Sequence, residues 1–293
     1  MEINFLKARV FFYFLSAVLL LLSLGAIKIF GLKLAIDLSG GAHFTFEAKS
    51  KEEVNKIKEV FQKTKPDFMI AESENDVFVK VKEISPQEKE EISRQLSSFN
   101  IKEKEFEKIS PQVGKELQNK AKWLVVLSLC LMIAYLGVSF SKMPKPLEGW
   151  KIGLTVSSLL FHDILITLGF LSLMSKFSDA QISIPVIISF LTLVGYGINN
   201  FIVVFDRLRE NVIRLGRKEK EMERVFNLAI NETLERQINS SLTVIFCLIF
   251  IFLFSHPLRW FSLSLVFGLL VGLYSSIFLA VPLAFTLWMR KVK

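Results

Sequence analysis

The chain has 293 residues, 52% of them hydrophobic and 28 of them phenylalanine, with 36 Lys and Arg against 28 Asp and Glu for a net charge of +8. So much apolar content, gathered in long uncharged runs, excludes a single water-soluble domain and points to a membrane protein. The basic residues flank apolar runs or sit among acids, with no basic-aromatic platform, so the charge reads as membrane topology and not as a nucleic-acid surface.

Six apolar spans are expected, at Val10 to Phe30, Trp123 to Phe140, Ile152 to Leu173, Ile182 to Phe205, Ile238 to Phe254 and Phe261 to Met289. The first follows Lys7 and Arg9. It lacks an A-x-A-like cleavage site, so it reads as a retained anchor. The inward loops and ends hold Lys142, Lys145, Lys151, Arg207, Arg209, Arg214, Arg217, Lys218, Lys220, Arg224, Arg236, Arg290, Lys291 and Lys293. The two short outward loops hold only Lys176 and Arg259. The bias of Lys and Arg toward the inside places both termini in the cytoplasm. The chain then divides into a first span (1–30), an outer domain (31–120), and spans two to six (121–293) with a cytoplasmic amphipathic segment (206–237).

The outer segment carries the periods of a small α+β domain. Ala42 to Ala48 alternates around Phe44 and Phe46, as a strand does. Val54, Ile57 and Phe61 share a helical face. Phe68 to Ala71 and Val77 to Val81 are strands around an Asn75-Asp76 turn. Pro86 opens a second helix with Ile92 and Leu96 inward, and Ile101 to Ile109 is a last strand. The order β-α-β-β-α-β is ferredoxin-like, a fold that names no activity by itself. Before it, Asp37-Leu38-Ser39-Gly40-Gly41 has no following Lys-Ser or Lys-Thr. It reads as a hinge and not as a phosphate loop.

The fourth span is interrupted by Asn199 and Asn200 and ends on Asp206-Arg207. Gly195, Asn199, Ile202 and Asp206 share one helical face; Tyr196, Asn200, Val203 and Arg207 share the next. Polar groups there serve either as helix-packing glue or as the lining of a wet path. Asp206-Arg207 reads as a local pair at the helix end. In the third span His162-Asp163 is either a proton-handling pair or a structural polar pair; neighbours on a helix point about 100° apart, so the two need not bond each other. After the fourth span, Met222, Val225, Phe226, Ala229 and Ile230 form an apolar stripe. It suits the inner membrane face or a partner subunit equally. In the sixth span Gly268, Gly272 and Ser276 form a small-residue stripe for tight helix contact. Cys130 and Cys247 lie inside apolar runs and read as buried small hydrophobes. With three His and no metal-ligand spacing, neither metal nor cofactor is expected. An intramembrane enzyme has no nucleophile motif to rest on.

Six stretches together resemble the SecF family of protein-export membrane proteins, part of the SecD/SecF group in the RND superfamily. They are IDLSGG (Ile36 to Gly41), SPQVGKEL (Ser110 to Leu117), LLFHDILITLGF (Leu159 to Phe170), LVGYGINNFIVVFDRLREN (Leu193 to Asn211), NETLERQINSSLTV (Asn231 to Val244) and GLLVGLYSSIFLAVPL (Gly268 to Leu283). The resemblance implies a multi-pass α-helical membrane protein with six transmembrane helices, half of an RND-type bundle, and one ferredoxin-like extracytoplasmic domain. It implies residence in the bacterial cytoplasmic membrane and use of the proton gradient to help draw preproteins across. The implied partners are a SecD-like subunit, the SecYEG translocon, SecA and YajC, the unfolded preprotein and membrane lipids. In the family an Asp follows the Asn of GYSIND and is a candidate proton carrier. Here that position is Asn200, which cannot titrate. The family's basic partner maps to Arg236. A titrating Asp163, a carboxylate on the SecD-like partner, a non-titrating scaffold role and half of a small-molecule exporter are the readings that follow.

Overall fold

The computed structural model describes residues 3–292 except 49, 66–67, 73–75, 142, 146, 179 and 216–218. The proposed turn residue Asn75 and the topology-setting Lys142, Arg217, Lys218 and Lys293 lie outside the described residues. The chain divides into two compact units. One is Leu32–Leu124 with Met174–Ile184; the other is Met1–Gly31, Val125–Leu173 and Pro185–Lys293.

The first unit is α+β. A one-turn helix α2 (Ile36–Ser39) precedes β1 (Gly41–Glu47), α3 (Lys51–Thr64), β2 (Phe68–Glu72), β3 (Asp76–Val81), α4 (Pro86–Ser98) and β4 (Lys102–Ile109). The sheet is antiparallel in the order β2-β3-β1-β4, so the ferredoxin-like expectation holds. Local signals start both helices. Ser50 accepts the Glu53 amide at the head of α3. Ser85 and Glu88 form a reciprocal capping box at α4, with Pro86 in its first turn. Phe44, Phe46, Phe61, Ile57 and Ile92 are fully buried between helices and sheet. The Phe44 ring lies 5.4 Å from Phe61 and 4.7 Å from Phe106.

Two of the sequence boxes meet in this unit. Gly40 and Gly41 take φ of +78° and +143°. A Cβ on Gly40 would come 2.6 Å from Pro111 Cα, and one on Gly114 would come 2.6 Å from the Gly40 nitrogen. What this geometry requires of the glycines is close backbone approach between IDLSGG and SPQVGKEL. Asp37 Oδ2 accepts the Ile184 amide at 2.6 Å, and the backbones of Leu34 and Ile182 bridge in parallel.

The second unit is helical. Among the described residues six helices are long and apolar enough to span a bilayer: α1 (Arg9–Phe30), α5 (Pro111–Phe140), α6 (Gly149–Phe177), α7 (Ile184–Leu215), α8 (Glu219–Phe254, its span Glu221–Phe254), and the run Arg259–Met289. That last run comprises α9 (Arg259–Ser275), a π-helical turn (Ser276–Ala280) and α10 (Val281–Val292). Pro282 offers no N–H and its ring crowds the carbonyl four residues earlier, which a widened turn accommodates. Small residues bring helices together. A Cβ on Gly268 would lie 2.7 Å from Leu193 Cδ2, and one on Gly169 would overlap Ser23. The segment before α1 is strapped to α8. Asn227 and Asn231, one turn apart, exchange hydrogen bonds with the Ile3 and Phe5 backbone, and Phe5 and Leu6 are buried.

Three expectations change. The helix that carries the fourth span does not stop at Phe205; α7 runs on to Leu215. The amphipathic segment after it is continuous with the fifth span. Its stripe Met222, Val225, Phe226, Ala229 and Ile230 is covered by the chain's own Leu208, Val212, Phe285 and Trp288, and not by a membrane surface or a partner. Cys130 and Cys247 are exposed on α5 and α8, because an apolar run solvated by lipid need not face the bundle.

Candidate functional site

The midpoint of α6 carries the two ionisable groups most deeply set in the helical unit. His162 is 7% exposed and Asp163 1%. Groups of this kind persist in apolar surroundings only when hydrogen-bonded. His162 Nδ1 lies 2.8 Å from Asp163 Oδ1, and His162 Nε2 lies 2.6 Å from Ser16 Oγ of α1. Ser275 Oγ of α9 donates to Asp163 Oδ2 at 2.7 Å. With the carboxylate ionised, the network assigns the imidazole proton to Nδ1 and leaves Nε2 to accept from Ser16. The sequence geometry left the two side chains free to miss one another; the His162 ring turns to its neighbour. Thr167 Oγ1 closes onto the Asp163 carbonyl. Gly272 leaves room beside the carboxylate: a Cβ there would lie 3.8 Å from Asp163 Oδ2.

A second polar chain starts one residue further on. Ser276 Oγ donates to Gln237 Oε1 at 2.7 Å, and Gln237 Nε2 donates to Thr233 Oγ1 at 3.1 Å, all of these groups buried. The adjacent serines at the start of the π-turn thus bond two different helices, α6 and α8. π-Turns inside α-helices concentrate at such sites.

The remaining sequence candidates are not drawn into this network. Asn200 is buried, 4% exposed, and makes no side-chain hydrogen bond to a described residue. Gly195 and Asn199 lie on an exposed face of α7, with nothing within 4 Å of a Cβ on Gly195. Tyr196 packs against the buried cluster of Leu193, Ile245, Leu248, Leu265 and Leu269. Arg236 is exposed and forms no ion pair with a described residue. Asp206 and Arg207 do not pair with each other. Asp206 binds Arg209 at 2.7 Å, and Arg207 binds Glu210 and, across to α8, Glu232, each at 2.7 Å. Asn211 and Arg214 also reach Glu232, so the ionic cluster fastens α7 to α8. Asp37, Gly40 and Gly41 belong to the α+β unit. Among the described residues no group of three His, Cys, Asp or Glu could hold a metal.

Ser16, Ser275, Gln237 and Thr233 escaped the sequence reading. Thr233, Gln237 and Ser275 lie inside quoted boxes; for Ser275 the signal was a pair of small polar residues in an otherwise apolar helix, while Thr233 and Gln237 sit among other polar residues that gave no reason to single them out. No local signal marks Ser16, whose partner is 146 residues away.

Residues 88–290 match the family described as protein export membrane protein SecD/SecF, C-terminal. The chain is 32% identical to the protein translocase subunit SecF of Rhodothermus marinus over 98% of its own length and 93% of that protein. It is equally similar, at 32%, to that of Calditerrivibrio nitroreducens over 97% and 93%. It superposes on the crystal structure of SecDF, a translocon-associated membrane protein from Thermus thermophilus, with a TM-score of 0.84 at 29% identity over 99% of this chain. A SecDF structure in a super-membrane-facing form gives a TM-score of 0.72 at 28% identity over 100% of this chain. The chain spans 39% of the length of each SecDF protein.

Proposed function

The chain belongs to the SecD/SecF family of protein-export membrane proteins and serves Sec-pathway export, and we propose that it does so by coupling proton movement to preprotein translocation through His162 and Asp163. The observation that carries this reading is the buried run Ser16–His162–Asp163–Ser275, which joins three helices through two titratable groups. Intramembrane ionisable residues are functional by default. The carboxylate takes a proton, the imidazole passes it, and the two hydroxyls hold both in register. Asn200 stands where relatives of the resemblance carry Asp, so the titrating role falls to Asp163 in this chain. A six-helix SecD-like subunit in the cytoplasmic membrane is the partner. The exposed α7 face with Gly195 and Asn199, and the exposed Arg236 on α8, which has no ion-pair partner among the described residues, are polar surfaces that such a partner would cover. Arg236 keeps its charge and so biases a carboxylate brought by the partner. The SecYEG translocon, SecA, YajC and the preprotein complete the assembly, with both termini cytoplasmic and the α+β unit outside.

The test is preprotein maturation in cells depleted of the native subunit, with the proton gradient intact or collapsed. Asp163→Asn is expected to remove the gradient-dependent increment, a fall of roughly tenfold or more, at unchanged protein abundance. Asn200→Ala should be milder. A full gradient-dependent rate in Asp163→Asn removes the residue from the mechanism. The inability of Asn200 to titrate favours a second reading, a scaffold that holds its partner and carries no proton. An equal fall on collapsing the gradient, with and without this chain, would select it.

A further inference from the structure

An open cleft of about 780 Å3 in the α+β unit has no part in the proton reading. Four lysines line it, Lys33, Lys65, Lys80 and Lys82, against one acid, Glu83. A smaller cleft of about 360 Å3 shares Lys65, Lys82 and Glu83 and adds Lys108 and Glu88. Two of these cations are oriented and not neutralised. Lys33 Nζ donates to the Ser175 carbonyl at 2.6 Å, and Lys108 Nζ to the Ile84 carbonyl at 2.7 Å. A carbonyl takes one of an ammonium's three N–H donors and none of its charge, which leaves the other donors for an anion. Lys65 is paired with Glu88 at 3.0 Å and counts for less. The lining keeps a positive excess, and a concave wall concentrates its field.

Apolar side chains stand among the charges. Leu34 and Met69 line the same cleft and are 39% and 44% exposed. A bare phosphate would use the lysines and leave these groups in water. A phospholipid uses both: its phosphodiester meets the ammoniums, while its glycerol and first methylenes lie on Leu34, Met69 and the lysine stems. The place in the chain agrees. Lys33 comes three residues after α1 ends at Phe30, and Gln181, also in the lining, comes three before α7 starts at Ile184. Three residues of chain reach about 10 Å, and the headgroup layer outside the hydrocarbon is about 5–7 Å deep on each side. The lining at Lys33 and Gln181 is therefore within reach of the lipid headgroups.

We infer that this cleft seats the headgroup of an anionic phospholipid, with its phosphate among Lys33, Lys80 and Lys82 and its glycerol against Leu34 and Met69. The seat needs only a bilayer and goes beyond the export reading; that its lipid comes from the outer leaflet rests on the topology proposed there. The anionic fraction of the bilayer then sets how firmly the α+β unit is held at the surface. Each lysine beside an anionic lipid surface contributes about fivefold in binding.

The test uses the full chain in phosphatidylcholine nanodiscs doped with a phosphatidylglycerol that carries a diazirine near its glycerol. Irradiation should label residues 33–34 and 68–69, and Lys33→Gln/Lys82→Gln should lower that labelling by about tenfold or more. Lys51→Gln/Lys63→Gln removes the same charge from exposed positions of α3 outside the cleft and should leave the labelling unchanged. Equal loss in the two double variants reduces the effect to general surface charge and overturns the proposal, as does absence of label. A phosphatidylcholine probe with the same diazirine needs no variant and should label these residues far less; an equal yield also overturns it. Displacement of the label by millimolar inorganic phosphate assigns the cleft to a free anion, and displacement by micromolar polyglutamate assigns it to an acidic polypeptide; either result removes the lipid seat. Asp163→Asn should retain the labelling. Label kept while gradient-dependent export is gone, or lost while export is normal, separates failure of one reading from failure of the other.

Discussion

The two units bury opposite things. The α+β unit closes on phenylalanines: Phe44, Phe46 and Phe61 are fully buried, Phe44 stacked on Phe46 and Phe61 edge-on to both, with Phe68 and Phe106 at the edge. The helical unit buries Ser16, His162, Asp163, Thr167, Gln237, Ser275 and Ser276 beside its leucines. In water, apolar area removed from solvent holds a core together. In lipid that drive between helices is absent, so small residues and hydrogen bonds hold the bundle. The membrane-embedded half is therefore free to keep titratable groups in its interior, where they double as structure.

The contrast is broken most severely at Phe61. Phe61→Ala should cost the α+β unit about 3–5 kcal/mol, read as faster amide hydrogen exchange throughout that unit with protection in the helical unit unchanged. Loss of protection in the spans as well would mean that the two units do not unfold separately. In the helical unit the sensitive change is added bulk. Gly268→Leu, against the Leu193 side chain, should cost about 1–3 kcal/mol in detergent denaturation, whereas Gly195→Ala, with open space around it, should cost almost nothing. Equal costs would show that the stripe is not a close-packing surface. The smallest effect is electrostatic and sits on the α4 cap. The Ser85 backbone N–H, and after it Lys65, hold the Glu88 carboxyl below its ordinary value of 4.5. A depressed carboxylate stabilises the fold above that ordinary value, and the contribution disappears as pH falls through the lower folded value. Glu88→Gln should therefore melt at a lower temperature than the parent chain at pH 7. The gap should close in acid, below about pH 4.5; a gap constant from pH 3 to 7 would discard the cap charge as its source.

Much of the α+β unit was legible because its signals are short-range. Ser85-Pro86 announces a helix start, Val54, Ile57 and Phe61 announce a face, and one buried side per strand fixes the register. The ionisable pair at His162-Asp163 was legible for a different reason: charge in a span stands out. Its completion was not. Ser16 and Ser275 are ordinary residues until a fold lays them against α6, and a π-turn that separates the bonds of Ser275 and Ser276 has no composition of its own. Cys130 and Cys247 failed for the converse reason. Apolar surroundings in sequence do not say whether the neighbour is another helix or an acyl chain. The stripe from Met222 to Ile230 was correctly periodic but wrongly assigned, since periodicity gives a face and not its cover.

The strap ahead of α1 has a practical bearing on how the protein is handled. Ile3 and Phe5 offer their main chain to Asn227 and Asn231, while the Phe5 ring sits 5.7 Å from that of Phe278 in the π-turn. Trimming through Leu6 strips two anchored side chains and leaves two asparagines facing vacated ground, whereas an affinity tag appended ahead of Ile3 leaves the anchorage intact.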